Sequence, residues 1–582
     1  MAKMLAFLSN GLSGALIDLS EVVWLPLPRF DSPSVFSKLL DRSKGGSFSL
    51  RPLYGFDSVI QQYIGDSLVL ETTYSVKGKR AKVVDFMPLS LPGLVRIYES
   101  EVPLIAEIRP AFNYGLINPS IERREKGLIF RNPLSSEGLE LYVDGDFETL
   151  DDFSLVLDPG KGSLFLLYSR DLRYGFFEKP EIYGNAGEML RGILSYFRTK
   201  LRSVRRVSIY EREYYRSLSV ILGLMYRPSG AIVASPTTSL PEIVGEERNW
   251  DYRFAWVRDM SYAIEALIKA GLIIEARYGL DFLISVADPA SKTFDHPLYT
   301  VDGTPPLAEE VVGWLSGYEG SKPVRIGNAA YLQVQMDVEG AFMNSLYEYV
   351  NATKDYRYVS DNFWLVESLA DWISKSWRFE STDIWEERGV TRHYVHTKVM
   401  SWVALDRASK LARMIGNKSE ADEWEGKAEE VKEDVMRNGV RDGHFVRYYG
   451  GDEIDAALLT LPLYDFVSPH DEKFLKTFNR IRSELEVSPY LYLRYKRDFL
   501  GNVKNPFVLV TLWVARVLIR MGKLQEAEKH IRRLIECSTP LGLLGEHIDP
   551  TNCEPRGNFP HLFSHSGMVT TIAELDSSLN TA

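Results

Sequence analysis

The sequence predicts a multi-domain chain: an N-terminal antiparallel β-sandwich followed by a mainly α domain arranged as an (α/α)6 barrel. Two observations carry this expectation. Short strand-like runs give way to helical spacing near residue 183. The later part, residues 209–582, shared among twelve helices leaves about 31 residues for each helix with its loops, which permits a double ring. The expected parts are a sandwich domain over 1–182, a helical linker over 183–208 and the barrel over 209–582.

The strand runs are Ser67–Thr73, Ala81–Phe86, Leu104–Ile108, Gly127–Phe130 and Ser163–Tyr168, separated by Gly, Pro, Asp and Asn. Such spacing with polar turns suggests a sandwich. After about Tyr183, Asn185–Arg206 reads as an amphipathic connector. Helical patterns follow at Ile209–Tyr226, Met260–Ala270, Val338–Ala352, Asn362–Trp377, His393–Ile415, Ser419–Asn438, Phe507–Met521 and Leu524–Glu536. Apolar residues there recur at i, i+3, i+4 and i+7, and Gly271, Gly416, Gly439 and Gly522 supply stops.

The 582 residues carry 68 Lys and Arg against 79 Asp and Glu, a net charge of −11. That balance argues against a nucleic-acid footprint, and the basic cluster Arg202–Arg206 reads as a solvated face. A composition of 45% hydrophobic and 25% charged residues excludes wholesale disorder. No apolar run reaches the ~18 residues of a membrane span. The N-terminus has a lysine and an apolar patch, but no long apolar region followed by a cleavage site. Cys537 and Cys553 read as free thiols, which favours a reducing compartment. A cytoplasmic location without membrane or nucleic-acid partners is therefore expected, and a homo-oligomer is left open.

Aromatic residues are in excess, with 11 Trp, 31 Tyr and 28 Phe. Flat rings with a polar edge stack sugars, although large aromatic cores account for such an excess more readily. Four long loops, Pro236–Trp256, Ser381–Arg392, Ser488–Pro506 and Gly542–His565, combine Trp, Tyr and Arg with carboxylates. Function concentrates in such loops on a rigid scaffold.

The nine histidines include His393/His396 and His561/His565 at helical spacing, but no H-E-x-x-H and no cysteine pattern accompanies them. No metal site or cofactor is expected. Phosphate-cradling glycine motifs and a G-x-S-x-G elbow are also missing from the sequence. Paired carboxylates remain, as glycoside hydrolysis requires. Glu386 lies in Asp383-Ile-Trp-Glu-Glu-Arg-Gly389, where Asp383, Glu387 and Trp385 are expected to raise its pKa through like charge and desolvation. Glu546 lies on what reads as a glycine-flexible loop, Gly542–His547. Spacing alone fits exposed loop acids as well.

These motifs carry a resemblance. WLPLPRFDSPSVF at Trp24–Phe36, RNWDYRFAWVRD at Arg248–Asp259, GNAAYLQVQMDVEG, WEERG, the RY of LRY and GNFPHLFSH together resemble glycoside hydrolase family 15, the glucoamylase and trehalase family, along nearly the whole chain. The resemblance implies Glu386 as general acid and Glu546 as general base of an inverting hydrolysis that releases β-glucose from an α-linked substrate. It further implies that Arg258 and Asp259 grip hydroxyls of the terminal glucose. Tyr252 falls near the catalytic water, Trp256 and Trp385 wall the first subsite, and Arg494 and Tyr495 lie near the sugar. Glu387 joins the substrate-binding set. Tyr331 falls where fungal relatives have a stacking tryptophan, with Gln333, Gln335 and Asp337 as pocket residues. Lys504-Asn505-Pro506-Phe507 departs from the pattern of bacterial relatives.

The leading expectation is an exo-acting glucan 1,4-α-glucosidase on malto-oligosaccharides. An α,α-trehalase using the same pair is the alternative, and an inverting sugar phosphorylase stands behind both.

Overall fold

The computed structural model describes residues 5–581 apart from 178, 180, 181, 183, 184, 288, 289 and 292. The first part is two antiparallel sheets packed face to face. One sheet holds β1 (Leu5–Ser9), β2 (Gly14–Asp18), β3 (Glu21–Pro26), β4 (Ser34–Phe36), β5 (Ser47–Pro52), β10 (Leu104–Arg109), β14 (Phe147–Thr149) and β15 (Ser154–Leu157). The other holds β6 (Ser58–Tyr63), β7 (Leu70–Val76), β8 (Lys79–Phe86), β9 (Gly93–Ser100), β11 (Ser120–Arg124), β12 (Gly127–Arg131), β13 (Gly138–Asp144) and β16 (Gly160–Ser169). Their orders are β1-β2-β3-β5-β10-β15-β14, with β4 on β3, and β11-β12-β13-β16-β9-β8-β7-β6. Alternation sets the buried face: in β7, Leu70, Thr72 and Tyr74 are buried while Glu71, Thr73 and Ser75 are only partly covered. Arg96, in a fully buried pair with its cross-strand neighbour Asp85 at 2.7 Å, reaches across to the other sheet and donates to the Phe48 and Ser20 carbonyls.

The expected change of period at residue 183 lies outside the described residues. Beyond it come α1 (Ala186–Arg202), α2 (Glu211–Leu224), α3 (Val257–Ala270), α4 (Ile273–Val286), α5 (Asp337–Thr353), α6 (Tyr356–Ser376), α7 (Val395–Met414), α8 (Lys418–Asn438), α9 (Glu472–Leu485), α10 (Val508–Arg520), α11 (Leu524–Glu536) and α12 (Leu562–Thr581). Helices α3, α5, α7, α10 and α12 and the 3-10 turn Ala456–Thr460 pack in sequence as an inner ring, closed by α12 on α3. Helices α2, α4, α6, α8, α9 and α11 cover it from outside. This is the (α/α)6 barrel, with the fourth inner element shortened to a single turn. Inner helices are buried nearly all round, as α10 is from Val508 to Ile519, so they carry no polar face. Outer α11 buries only the stripe Ala527, His530, Ile531 and Leu534. No helix among the described residues is long and apolar enough to cross a membrane.

The sandwich braces the barrel through buried contacts. Arg216 on α2 donates to the carbonyls of Ser67 and Gly65, and Trp24 Nε1 donates to Pro236 O at 2.7 Å. Cys537 and Cys553 are joined in a disulfide rather than free. The turn held by Cys553 N–H to Asp549 O brings Cys553 back over the end of α11, an approach that linear spacing does not reveal. The bond removes the support that free thiols lent to a reducing compartment.

Candidate active site

A single pocket gathers residues from loops that each precede an inner helix. Ala234–Asp259 leads into α3, Asn328–Ala330 into α5, Ile384–Arg388 into α7, Arg494–Phe507 into α10, and Glu546–His561 into α12. The inner helices therefore start at the pocket, and their N-terminal ends favour carboxylates and other acceptors placed there. About 800 Å³ of empty space, part of it open solvent, lies between these walls.

Glu386 sits in a left-handed backbone conformation, φ 62°, a strained state typical of sites whose surroundings enforce it. Its Oε1 accepts three hydrogen bonds, from Trp256 Nε1 at 2.8 Å, Arg258 at 2.9 Å and Gln335 Nε2 at 2.9 Å. Gln333 Nε2 binds its carbonyl at 3.1 Å. Among the described residues no hydrogen bond reaches Oε2. The carboxyl is thus anchored by one oxygen and free at the other.

The like charge expected to act on Glu386 is answered elsewhere. Asp383 and Glu387 both pair with Arg447, at 2.8 and 3.0 Å, so the two flanking carboxylates share one buried cation. Trp385 turns its Nε1 to Asp455, at 2.9 Å, and packs edge-on against Phe507. Arg258 lines the pocket, and its terminal nitrogens bind Gln335, Asp337 and Glu386, so it also holds the acid in place. Asp259 lines the pocket, and burial pushes its carboxyl up to about 8 against the pull of Arg258.

Glu546 is 4% exposed. Its Oε1 accepts the Tyr252 hydroxyl hydrogen at 2.8 Å. Burial, then the charge of nearby Glu242, pushes its pKa well above the carboxylate range, while Arg494 and the Tyr252 hydrogen bond oppose the shift. The neighbouring glycines serve close packing, not the expected flexibility. A Cβ at Gly557 would meet Glu546 Oε2 at 2.7 Å, and one at Gly545 would meet Arg556 O at 2.8 Å.

Glu242, Glu546 and His547 lie close enough to hold a metal ion, with candidate ligand atoms within 4.8 Å of one another. A cation already serves them. Arg494 grips both Glu242 oxygens, at 3.1 and 2.9 Å, and donates to His547 Nε2 at 3.4 Å. His547 Nδ1–H donates to Asn505 O, and burial holds the ring neutral, with its pKa down to about 4.

Of the residues singled out in the sequence, Glu386, Glu546, Arg258, Asp259, Tyr252, Trp256, Trp385, Glu387, Arg494 and Tyr495 all line this pocket. Tyr331 does not: it packs against His296 at 5.5 Å between ring centres, and its neighbour Ala330 reaches the wall instead. Glu242, Arg248, Trp250, Asn328, Arg388 and Asp498 were missed, although most lie in the loops whose mixture of aromatic and charged residues marked them. Glu309, which holds Arg388 by both oxygens, had no sequence signal.

Comparison with known proteins adds to this geometry. Residues 208–573 match the family described as Glycosyl hydrolases family 15, and residues 2–151 match that described as Trehalase-like, N-terminal. Trehalase 2 of Sulfolobus acidocaldarius is 57% identical over 573 residues, covering 98% of this chain and 99% of that protein. Trehalase 1 of the same organism is 43% identical over 575 residues, 98% of each chain. The trehalase of Thermoplasma volcanium is 33% identical over 590 residues, 98% of this chain and 93% of its own. A bacterial glucoamylase solved with acarbose superposes with a TM-score of 0.77 at 15% identity, covering 99% of this chain and 94% of that one. At that identity the likeness concerns the fold alone.

Proposed function

The chain belongs to glycoside hydrolase family 15, and from that premise we propose that it is an α,α-trehalase that cleaves its substrate with inversion, Glu386 acting as general acid and Glu546 as general base. The family makes it a glycoside hydrolase. The observation that carries trehalose over malto-oligosaccharides is near full-length identity of 57% and 43% to two proteins named trehalases. The leading expectation from sequence, a glucan 1,4-α-glucosidase, thereby yields to its alternative.

The geometry supports the roles. With Oε1 of Glu386 held by three donors, Oε2 is the oxygen left to deliver a proton to the glycosidic oxygen as the C1–O bond breaks. Trp256, Arg258 and Gln335 then stabilise the carboxylate left behind. Glu546, oriented by Tyr252, takes a proton from water, whose oxygen bonds to C1 from the opposite face. Its raised pKa makes it a stronger base. The attacked ring leaves as β-glucose, and the other ring of trehalose leaves as α-glucose. Asp259 and the Arg248–Asp498 and Arg494–Glu242 pairs supply the polar wall for hydroxyls.

The test is initial glucose release from trehalose and from maltotriose at matched concentration, with the nascent anomers read by proton NMR. Release from trehalose as equal α and β anomers supports the reading. Faster release from maltotriose would return the function to a glucan glucosidase, and turnover only with phosphate would make it a phosphorylase.

A further inference from the structure

Tyr252, which orients Glu546, lies between two residues that face away from the pocket. Asp251 and Arg253 form a buried bidentate ion pair, at 2.9 and 2.7 Å, and are 0% and 1% exposed. The same guanidinium reaches into the β-sandwich, donating to Ser32 O at 2.8 Å and to the Tyr114 hydroxyl at 2.9 Å, and lying over the Tyr114 ring at 5.3 Å. Asp251 in turn accepts from the Gly327 N–H at 3.0 Å, while Tyr252 is tied by its own backbone to Thr237 and Ser235.

We propose that Arg253 is a positioning residue for the hydrolytic step: anchored on Ser32 and Tyr114 of the sandwich, it fixes the segment that aims the Tyr252 hydroxyl at Glu546. The sandwich is then part of the catalytic apparatus rather than an appended module. Arg253 and Tyr252 are adjacent, so a shift of the guanidinium moves the tyrosine. Misplacement of a catalytic contact by about 1 Å lowers rates by up to ~100-fold. The inference rests on Glu546 as general base.

Its test is a double-mutant cycle in the full chain. Tyr114→Phe removes one anchor in the sandwich and leaves the Asp251–Arg253 pair intact, and Arg253→Lys removes the fork. Each is made alone and with Tyr252→Phe, and kcat, KM and the acid limb of the pH profile are measured on trehalose. Each single variant is expected to lower kcat by about tenfold with KM nearly unchanged, and to move the acid limb in the direction that Tyr252→Phe moves it. In the Tyr252→Phe background neither should add more than about twofold. If Arg253→Lys fails to fold, Tyr114→Phe alone decides. Equal fold-losses in both backgrounds, or no loss in either, would overturn the proposal. Full activity in Glu546→Gln would instead overturn the base assignment, so the two failures are told apart.

Discussion

Arg447 donates from a single nitrogen to both Asp383 and Glu387, the carboxylates that bracket Glu386, at 2.8 and 3.0 Å. Glu386 therefore stands in a loop whose surrounding negative charge is partly offset by one shared cation, while its own carboxyl faces Arg258 and the pocket. Asp455, 3.5 Å from Arg447 Nε, completes this buried cluster and caps the shortened inner turn.

Removing Arg447 leaves the buried Asp383 and Asp455 and the half-buried Glu387 without their shared cation. Arg447→Met is expected to cost about 3–5 kcal/mol of stability. Chemical denaturation of the variant measures this, and an unchanged midpoint would show that the cluster does not hold the loop.

Glu386→Gln and Glu546→Gln each keep the shape of the pocket and remove one proton-transfer group. Each should lower kcat by about 100- to 10,000-fold while sugar binding, followed by tryptophan fluorescence, persists. Near-normal turnover in either variant would falsify its assigned role.

As the proposed general base, Glu546 must be ionised to accept a proton from water, so activity is expected to rise with pH as this group deprotonates. Because burial and Glu242 raise its pKa, the acid limb of the kcat/KM profile is expected above the ordinary carboxylate range, about 4.3 for glutamate. Tyr252→Phe deletes a hydrogen bond that favours the ionised form, and so should shift that limb further toward alkaline pH. A limb that stays in place would separate Tyr252 from the base.

Gly557 combines φ +73° with a contact that leaves no room for a side chain against Glu546. Gly557→Ala is expected to cost about 1–2 kcal/mol in backbone strain and to lower kcat by more than KM changes, since its methyl displaces the Glu546 carboxylate. Equal activity and melting temperature to the parent would contradict this packing.

Arg494 occupies the cation position among Glu242, Glu546 and His547. Hydrolysis should accordingly survive exhaustive treatment with a chelator, and Arg494→Ala should abolish activity that divalent cations do not restore. Loss of turnover on chelation, recovered by added metal, would refute that account.

Much of this protein was legible from the chain alone. Alternation in runs such as Leu70–Thr73 and stripes such as Ala527, Ile531 and Leu534 report burial on one face, so both halves of the fold follow from periodicity. The same rule hides α12, which is buried nearly all round and thus carries little stripe. The stripe of α9, Phe474, Phe478, Ile481 and Leu485, is by contrast written plainly in the sequence.

At the site, local sequence marked the residues proposed to carry the chemistry, because Glu386, Tyr252 and Glu546 stand in dense, distinctive motifs, and all three line one pocket. Which charge answers which was decided only by tertiary structure. Arg258 meets Asp337 and Gln335 across more than 70 positions, Arg447 meets Asp383 across 64, and Cys537 meets Cys553 where the loop after Glu546 folds back. Sequence motifs name donors and acceptors. Ion pairs depend on distance and burial, and those exist only once the inner helices bring their N-terminal loops to one end of the barrel.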